Sequence, residues 1–395
     1  MSRRTAVLLV EAHLEESGGV RVTHELVRRL PGEGLPARLF VLQRTPPGHP
    51  VLVPAPSVDV VHGSSRPRQL RWTLLPGLVR LVREARRCDV VVSGSEIGYG
   101  FLSAWLAARL AGRPFAVVVQ SQLSQALHEW VPRRLHRLTR WVHSRSDLAL
   151  CVSAGLVPSV VAAGLPESRT AVVPVGVDVE AVRRAALSPP GDAVASALDD
   201  GPLVVAAGRL SSSKGFDVLL RAWAQARESS PAVRPQRLLL LGEGAEREHL
   251  EALVDQLGLG GSVRLPGFST DLQAALAGAE LFVLSSRYEG MGSFVLLEAM
   301  AHGTPVVATD CPSGPRELLR DGELGALVPV EDVEALARAL AAHAEDPSRL
   351  RATAEQRRRR AEEFAPQRWV AAAARELAPL VGPVRRERDP QPVRR

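Results

Sequence analysis

The sequence predicts an α/β protein made of two doubly wound, parallel-sheet domains in tandem. Short apolar runs alternate with longer amphipathic stretches along the whole chain, as βαβ units do. The alternation halts at residues 185–202, a stretch rich in Pro, Gly, Ala and Asp, and then starts again. The 395 residues suffice for two domains of ordinary size, and 46% of them are hydrophobic, so each half can bury a core.

In the first half, strands are expected over 5–10, 37–42, 89–93, 115–119, 148–152 and 171–174. Helices are expected over 20–30, 72–87, 98–111, 132–144 and 154–163. The second half repeats the pattern, with strands over 203–207, 237–241, 262–265, 281–284, 305–308 and 325–328. This sets a first domain at 1–184, a linker at 185–202, a second domain at 203–365 and a last helix within 366–382. Residues 383–395 are dominated by Arg and Pro and predict a disordered basic tail. Ligands of doubly wound sheets bind outside the carboxyl ends of the strands, so two such domains facing a cleft should carry their chemistry in the loops after strands.

Composition excludes several classes. The longest apolar runs fall far short of the ~20 residues that a membrane span needs. The chain passes from Arg3 and Arg4 straight into a strand-like run, so no secretory signal is expected. Cys88, Cys151 and Cys311 lie apart, which fits a reducing cytoplasm and no zinc site. Charge is uneven: residues 1–183 hold 23 arginines against 14 acidic residues, and the remainder holds 26 basic against 29 acidic. A basic first half could meet an acidic acceptor, an anionic membrane surface or nucleic acid, or could be arginine on solvated helix faces. No zinc-finger spacing or aromatic RNA-binding motif appears, so nucleic acid is not expected as a partner. Residues 130–145 set Trp130, Leu135, Leu138, Trp141 and Val142 against Arg133, Arg134, Arg137, Arg140 and Arg145. Two readings stand: a basic helix lying on an anionic membrane, or a helix whose apolar face covers the sheet.

Lys214 is the most informative residue, because it is the only lysine and the other 48 basic residues are arginine. A chain so biased toward arginine should use lysine only where a compact point charge on a flexible stem is needed. Lys214 lies in the strand-to-helix loop from Gly208 to Gly215, with Arg209 at the strand end and Asp217 placed to cap the following helix. Arginine and lysine beside a helix N-terminus make a cradle for a diphosphate.

A second constellation runs from Arg287 through Glu289, Gly290, Gly292, Ser293, Phe294 and Glu298 to Pro305, after the 281–284 strand. Gly290 and Gly292 let the backbone approach a ligand, and the helix opening near Ser293 presents free N–H groups to an anion. Glu289 and Glu298 cannot hold phosphate and instead suit sugar hydroxyls: Glu298 the ribose, Glu289 the transferred sugar. Apolar neighbours on nearly every side argue against Glu298 being a plain exposed helix residue. A divalent cation on a diphosphate would usually be held by a carboxylate pair one residue apart at a strand end. Asp199 and Asp200 are adjacent and in the linker, so no metal is expected and positive charge must come from Arg209, Lys214 and the helix dipole.

Gly208-Arg209-Leu210, Lys214-Gly215, Leu241-Gly242-Glu243-Gly244, Glu289-Gly290, Leu297-Glu298-Ala299-Met300-Ala301 and Gly303-Thr304-Pro305-Val306-Val307-Ala308 together resemble a family 4 retaining glycosyltransferase of the GT-B fold. Ser17-Gly18-Gly19-Val20 and the stretch from Val172 to Asp178 resemble the same family, over about residues 5–344 in all. The resemblance implies two Rossmann-like domains and a nucleoside-diphosphate sugar donor, UDP favoured over GDP, with no metal or other cofactor. It implies that Arg209 and Lys214 hold the leaving diphosphate, that Glu298 meets the ribose, that Glu289 lies near the donor sugar, and that Gly18 and Gly19 face the phosphates. It also implies a last helix that crosses back onto the first domain. The acceptor would be a glycan, a lipid-linked intermediate or a small natural product. The sequence departs from the family at three places. Glu289 and Glu298 are nine apart where eight is usual, Gln120 stands where many relatives have histidine, and Val175 replaces a common asparagine.

On the acceptor side His13, Gln120 and His128 are candidates, with His24 beside them, although a lone histidine is more often a packing residue. Gly242 is expected to line the donor pocket. The Gly267-Phe268 turn is expected either near the nucleobase or in the core. Rival readings on the same scaffold are a nucleotide-sugar epimerase, a glycoside phosphorylase and a protein that only binds.

Overall fold

The structure, a computed structural model, describes residues 5–15, 18–45, 51–63, 74–289 and 294–382. Strands β1 (Val7–Glu11), β2 (Ala37–Val41), β3 (Val60–His62), β4 (Val90–Ser93), β5 (Phe115–Val119), β6 (Leu148–Cys151) and β7 (Thr170–Val172) form one sheet, in the order β3-β2-β1-β4-β5-β6-β7. Strands β8 (Leu203–Ala207), β9 (Arg237–Leu241), β10 (Val263–Gly267), β11 (Leu281–Leu284), β12 (Val306–Thr309) and β13 (Ala326–Val328) form a second, ordered β10-β9-β8-β11-β12-β13. Pairing is parallel in both, with Val7 level with Ala37 and Val90 in the first sheet and Leu203 level with Arg237 in the second.

The helices that matter below are α1 (Gly18–Arg29), α2 (Gly98–Ala111), α3 (Arg133–Ser144), α4 (Asp192–Asp199), α5 (Phe216–Ser229), α6 (Phe294–His302) and α7 (Pro366–Leu377). By contacts the chain divides into two compact units: Met1–Val118 with Leu138–Ala149 and the C-terminal helix from Val370, and Val119–Arg137 with Leu150–Trp369.

Strands β8, β9, β11 and β12 of the second sheet are largely apolar runs without alternation because both faces are buried. Val204, Ala206, Leu238, Leu240, Leu281 and Val283 pack on one side with Leu219 and Trp223 of α5. Their sequence neighbours Leu203, Val205, Ala207, Leu239, Leu241 and Phe282 pack on the other with Leu296, Leu297 and Met300 of α6. Strand β3 lies outside the expected set because its three residues, only half-buried or exposed, leave too short an apolar signal. The stretch 185–202, expected as a linker, contains α4, whose Val194 and Ala197 are buried in the second sheet's core. Its alanines favour helix once past Pro189 and Pro190. The 383–395 tail lies outside the described residues.

Candidate functional site

Each sheet begins in its middle, runs outward one way and then returns to the other side. In the second sheet the first strand, β8, therefore lies beside the fourth, β11, and the loops leaving these neighbours turn in opposite directions. A doubly wound sheet opens its ligand crevice at this switch point.

The two loops are joined backbone to side chain. The Ser285 hydroxyl donates to the Lys214 carbonyl at 2.8 Å, and the Arg287 N–H donates to the Ser213 carbonyl at 2.8 Å. Gly215 sits between a short helical turn, Ser212–Lys214, and α5, at φ +59°. A Cβ there would stand 2.2 Å from the Ser285 carbonyl oxygen, so both conformation and space demand glycine. A Cβ on Gly242, after β9, would stand 1.8 Å from the Gly208 carbonyl oxygen, so the β8 and β9 loops also meet at a glycine.

This frame brings Lys214 to Glu289. The Lys214 Nζ donates to Glu289 Oε1 at 2.6 Å, and the Ser286 hydroxyl donates to the same oxygen. Glu289 is buried, and the Ser313 hydroxyl holds its backbone carbonyl. The Lys214 stem crosses Gly208, where a Cβ would lie 3.4 Å from Lys214 Cε. Arg209 is exposed two residues past β8, its carbonyl accepts the Ser211 N–H at 2.8 Å, and its side chain makes no hydrogen bond or ion pair among the described residues. Glu298 is 6% exposed on α6, which removes the reading of a plain surface residue. Phe294 begins α6, half-buried, whereas Gly290, Gly292 and Ser293 lie outside the described residues.

Asp217 does not cap α5; Gly215 holds the cap position and Asp217 lies in the first turn, gripped by Arg287. Arg287 Nη1 and Nη2 each donate to an Asp217 oxygen at 2.9 Å, while its Nε donates to Glu331 at 2.7 Å. Burial works against the Asp217 carboxylate, yet the Arg287 fork and charge outweigh it and hold Asp217 below its ordinary pKa. Phe268 is 56% exposed, so the core-packing reading of that turn is corrected. The Gly242 N–H donates to the Gly267 carbonyl at 2.9 Å, which ties that turn to the β9 loop. Burial, aided by the Glu289 charge, pushes the Cys311 thiol up to about 12, so it stays protonated and inert.

The first sheet has its own switch point, between β1 and β4, and sequence reasoning missed what lies there. Glu11, the last residue of β1, is buried and accepts from the Thr23 hydroxyl of α1 at 2.5 Å. A Cβ on Gly94 would stand 2.1 Å from Glu11 Oε1, so glycine leaves room for this carboxyl. Burial pushes Glu11 up to about 7 against the Thr23 hydrogen bond, and the charge of buried Glu96 adds to the push. A carboxyl closing a strand otherwise made of Val and Leu is the one signal that could have found it.

His13 follows β1, with Nε2 3.1 Å from Glu15 Oε2 and Nδ1 3.4 Å from the Tyr99 hydroxyl. Gly18 and Gly19 open α1. His24 accepts the Ala55 N–H at 3.0 Å and is a packing residue. Gln120 follows β5 and is buried; His128 is exposed on the helix Leu123–Trp130. Val175 is buried.

Two family models match: Glycosyltransferase Family 4 over residues 17–181, and Glycosyl transferases group 1 over residues 201–346. The chain belongs to glycosyltransferase family 4. Among relatives of this family 4 chain is the lipopolysaccharide core biosynthesis glycosyltransferase LpsE of Rhizobium meliloti, 42% identical over 162 residues, 41% of this chain and 43% of that protein. Another is an N-acetylgalactosamine-N,N'-diacetylbacillosaminyl-diphospho-undecaprenol 4-alpha-N-acetylgalactosaminyltransferase of Campylobacter jejuni. It is 34% identical over 161 residues, 41% of this chain and 42% of that protein. The matched stretch thus spans less than half the length of these relatives. Anabaena HepE in complex with UDP and glucose superimposes with a TM-score of 0.77 at 20% identity, over 95% of this chain and 99% of that one. WaaG, a glycosyltransferase involved in lipopolysaccharide biosynthesis, does so with a TM-score of 0.70 at 16% identity, over 93% and 98%. The fold of the family 4 chain is accordingly the GT-B fold of two Rossmann-like domains.

Proposed function

We propose that this chain is a retaining, metal-independent hexosyltransferase. It moves a hexose or N-acetylhexosamine from a nucleoside-diphosphate sugar, UDP-linked rather than GDP-linked, to a hydroxyl of a glycan, glycolipid or natural-product acceptor. The observation that carries the reading is the 2.6 Å pair of Lys214 with buried Glu289 at the switch point of the second sheet. That pair holds a flexible cation and a sugar-hydroxyl acceptor side by side, with Arg209 exposed in the same loop as Lys214. In this reading residues 203–365 bind the donor and residues 1–184 the acceptor, with His13, Gln120 and His128 on the acceptor side. The chain works in the cytoplasm, where its donor is made.

In the reaction the acceptor oxygen bonds to the anomeric carbon of the donor sugar on the face from which the diphosphate leaves. The bond from that carbon to the diphosphate oxygen breaks, and the diphosphate departs with the electron pair. The acceptor's proton passes to a departing phosphate oxygen. Lys214 and Arg209 meet the charge that grows on the diphosphate, so no metal ion is needed. Glu289 is released from Lys214 to accept from the donor sugar's hydroxyls, and Glu298 accepts from the ribose. A GT-B relative held with UDP and glucose, and envelope-glycan relatives, support the donor and the acceptor class.

A charge-assisted hydrogen bond contributes about 1.5–3 kcal/mol, so Lys214→Ala should lower turnover about ten- to a hundredfold. Turnover should persist in EDTA, and proton NMR of the product should show the donor's anomeric configuration. Near-normal turnover of Lys214→Ala, an inverted product or a manganese requirement would each refute the proposal.

A further inference from the structure

Helices α2 and α3 contain no acidic residue in their combined 26 positions, yet they carry five arginines. One stripe of each is committed to the core: Phe101, Ala104, Ala107 and Ala108 on α2, and Thr139, Val142 and His143 on α3. Val142 is therefore not part of an outward apolar face. A second stripe points to solvent. Leu138 and Trp141, three positions apart on α3, are 42% and 44% exposed, and Leu106 and Leu110, four apart on α2, are 37% and 56% exposed.

The two stripes adjoin, because Trp105 and Trp141 pack edge to face with ring centroids 5.1 Å apart. Arginines frame the patch. The Arg145 guanidinium lies 5.3 Å from the Trp141 ring centre, Arg109 lies 6.0 Å from that of Trp105, and Arg140 is exposed beside them. At one end Arg109 faces Asp147 at 3.7 Å. Leucine and tryptophan inside a rim of arginine match the boundary of an anionic bilayer. The apolar side chains reach past the headgroups while the guanidiniums stay with the phosphates.

We propose that this face seats the protein on an anionic lipid bilayer, with Leu106, Leu110, Leu138 and Trp141 entering the headgroup boundary and Arg109, Arg140 and Arg145 meeting lipid phosphates. The inference goes beyond the sugar-transfer reading, and its assay requires no turnover, so the two can fail separately.

The test is flotation of the full chain with phosphatidylcholine vesicles and with vesicles one-third phosphatidylglycerol. The chain should float with the anionic vesicles, not with the neutral ones, and raising the salt should release it. Each basic residue near such a surface is worth about a fivefold change in partition, so Arg140→Glu with Arg145→Glu should weaken it at least about twentyfold. Leu138→Ser with Trp141→Ser should also abolish flotation, while Arg221→Glu, an exposed arginine on α5, should leave it unchanged. Where the serine variant melts early, the two arginine reversals decide. Absence of flotation with anionic vesicles, or flotation that the arginine reversals leave intact, overturns the proposal. So does a dimer in sedimentation that Trp141→Ser dissolves, since a second copy would then cover the face.

Discussion

Replacing Glu11 by glutamine should stabilise the protein at pH 8 and do much less at pH 5. The Glu11 carboxyl is enclosed where β1 meets β4, with the Thr23 hydroxyl 2.5 Å from it, Gly94 closed over it and Glu96 buried nearby. Burial carries its pKa from 4.5 to about 7. The folded pKa is the raised one. The neutral carboxyl's contribution is therefore complete below pH 4.5, where both states hold the proton, and drains away as pH rises toward 7. Above 7 both states are ionised and the loss is constant. A shift from 4.5 to about 7 at 1.36 kcal/mol per pH unit amounts to a loss of about 3 kcal/mol by pH 8, of which about 1 kcal/mol is gone at pH 5. Glutamine stays neutral throughout, and its carbonyl can still accept from Thr23. The stability gap between Glu11→Gln and the parent, from urea unfolding, should widen by about 2–3 kcal/mol between pH 5 and pH 8. A gap constant across that range would mean that Glu11 ionises as it does in water, and would refute the picture of a sealed carboxyl.

Two further substitutions probe other parts of the molecule. Phe268→Ala removes an exposed ring from the turn tied to the β9 loop, and loss of a stacking contact should raise the donor KM about two- to tenfold with kcat nearly unchanged; an unaltered KM would remove Phe268 from the donor site. Arg357 is fully buried and donates to the carbonyls of Gly303, Leu324 and Leu350 and to the Thr353 hydroxyl. Although burial lowers it to about 10, it remains charged at neutral pH. Arg357→Met strands those acceptors and should cost about 3 kcal/mol or more, read as a lower melting temperature; an unchanged melting temperature would show that water replaces the guanidinium.

What could be read from residues alone, and what could not, divides along the range of the interactions. Strands such as 115–119, 203–207, 237–241 and 281–284 appear as expected because an apolar run in a doubly covered sheet is a local signal. Lys214 stood out for a local reason too, as the one lysine in an arginine-rich chain. The carboxyl of Glu11, by contrast, acquires its character from Thr23, Gly94 and Glu96, and no periodicity links β1 to a loop more than 80 residues later.

The same limit governs charge at the donor-side loops. Along the sequence, Asp217 is two positions after Gly215 and suggests a helix cap, and Arg287 opens the second constellation as one more cation. Folding cancels both. Arg287 spends its fork on Asp217 and its Nε on Glu331, which removes one cation and two acids from the reckoning. The loop after β8 is then left with Arg209, unpaired among the described residues, and Lys214, paired with a glutamate that a sugar hydroxyl can replace. With Arg287 and Asp217 taken up by each other, the loop from Gly208 to Gly215, which holds two cations and no acid, is a place for a dianion in this reading. Arg287→Ala, which frees the Asp217 carboxylate beside that loop, should therefore raise the donor KM even though neither residue touches the donor in this reading, and an unchanged KM would refute the argument.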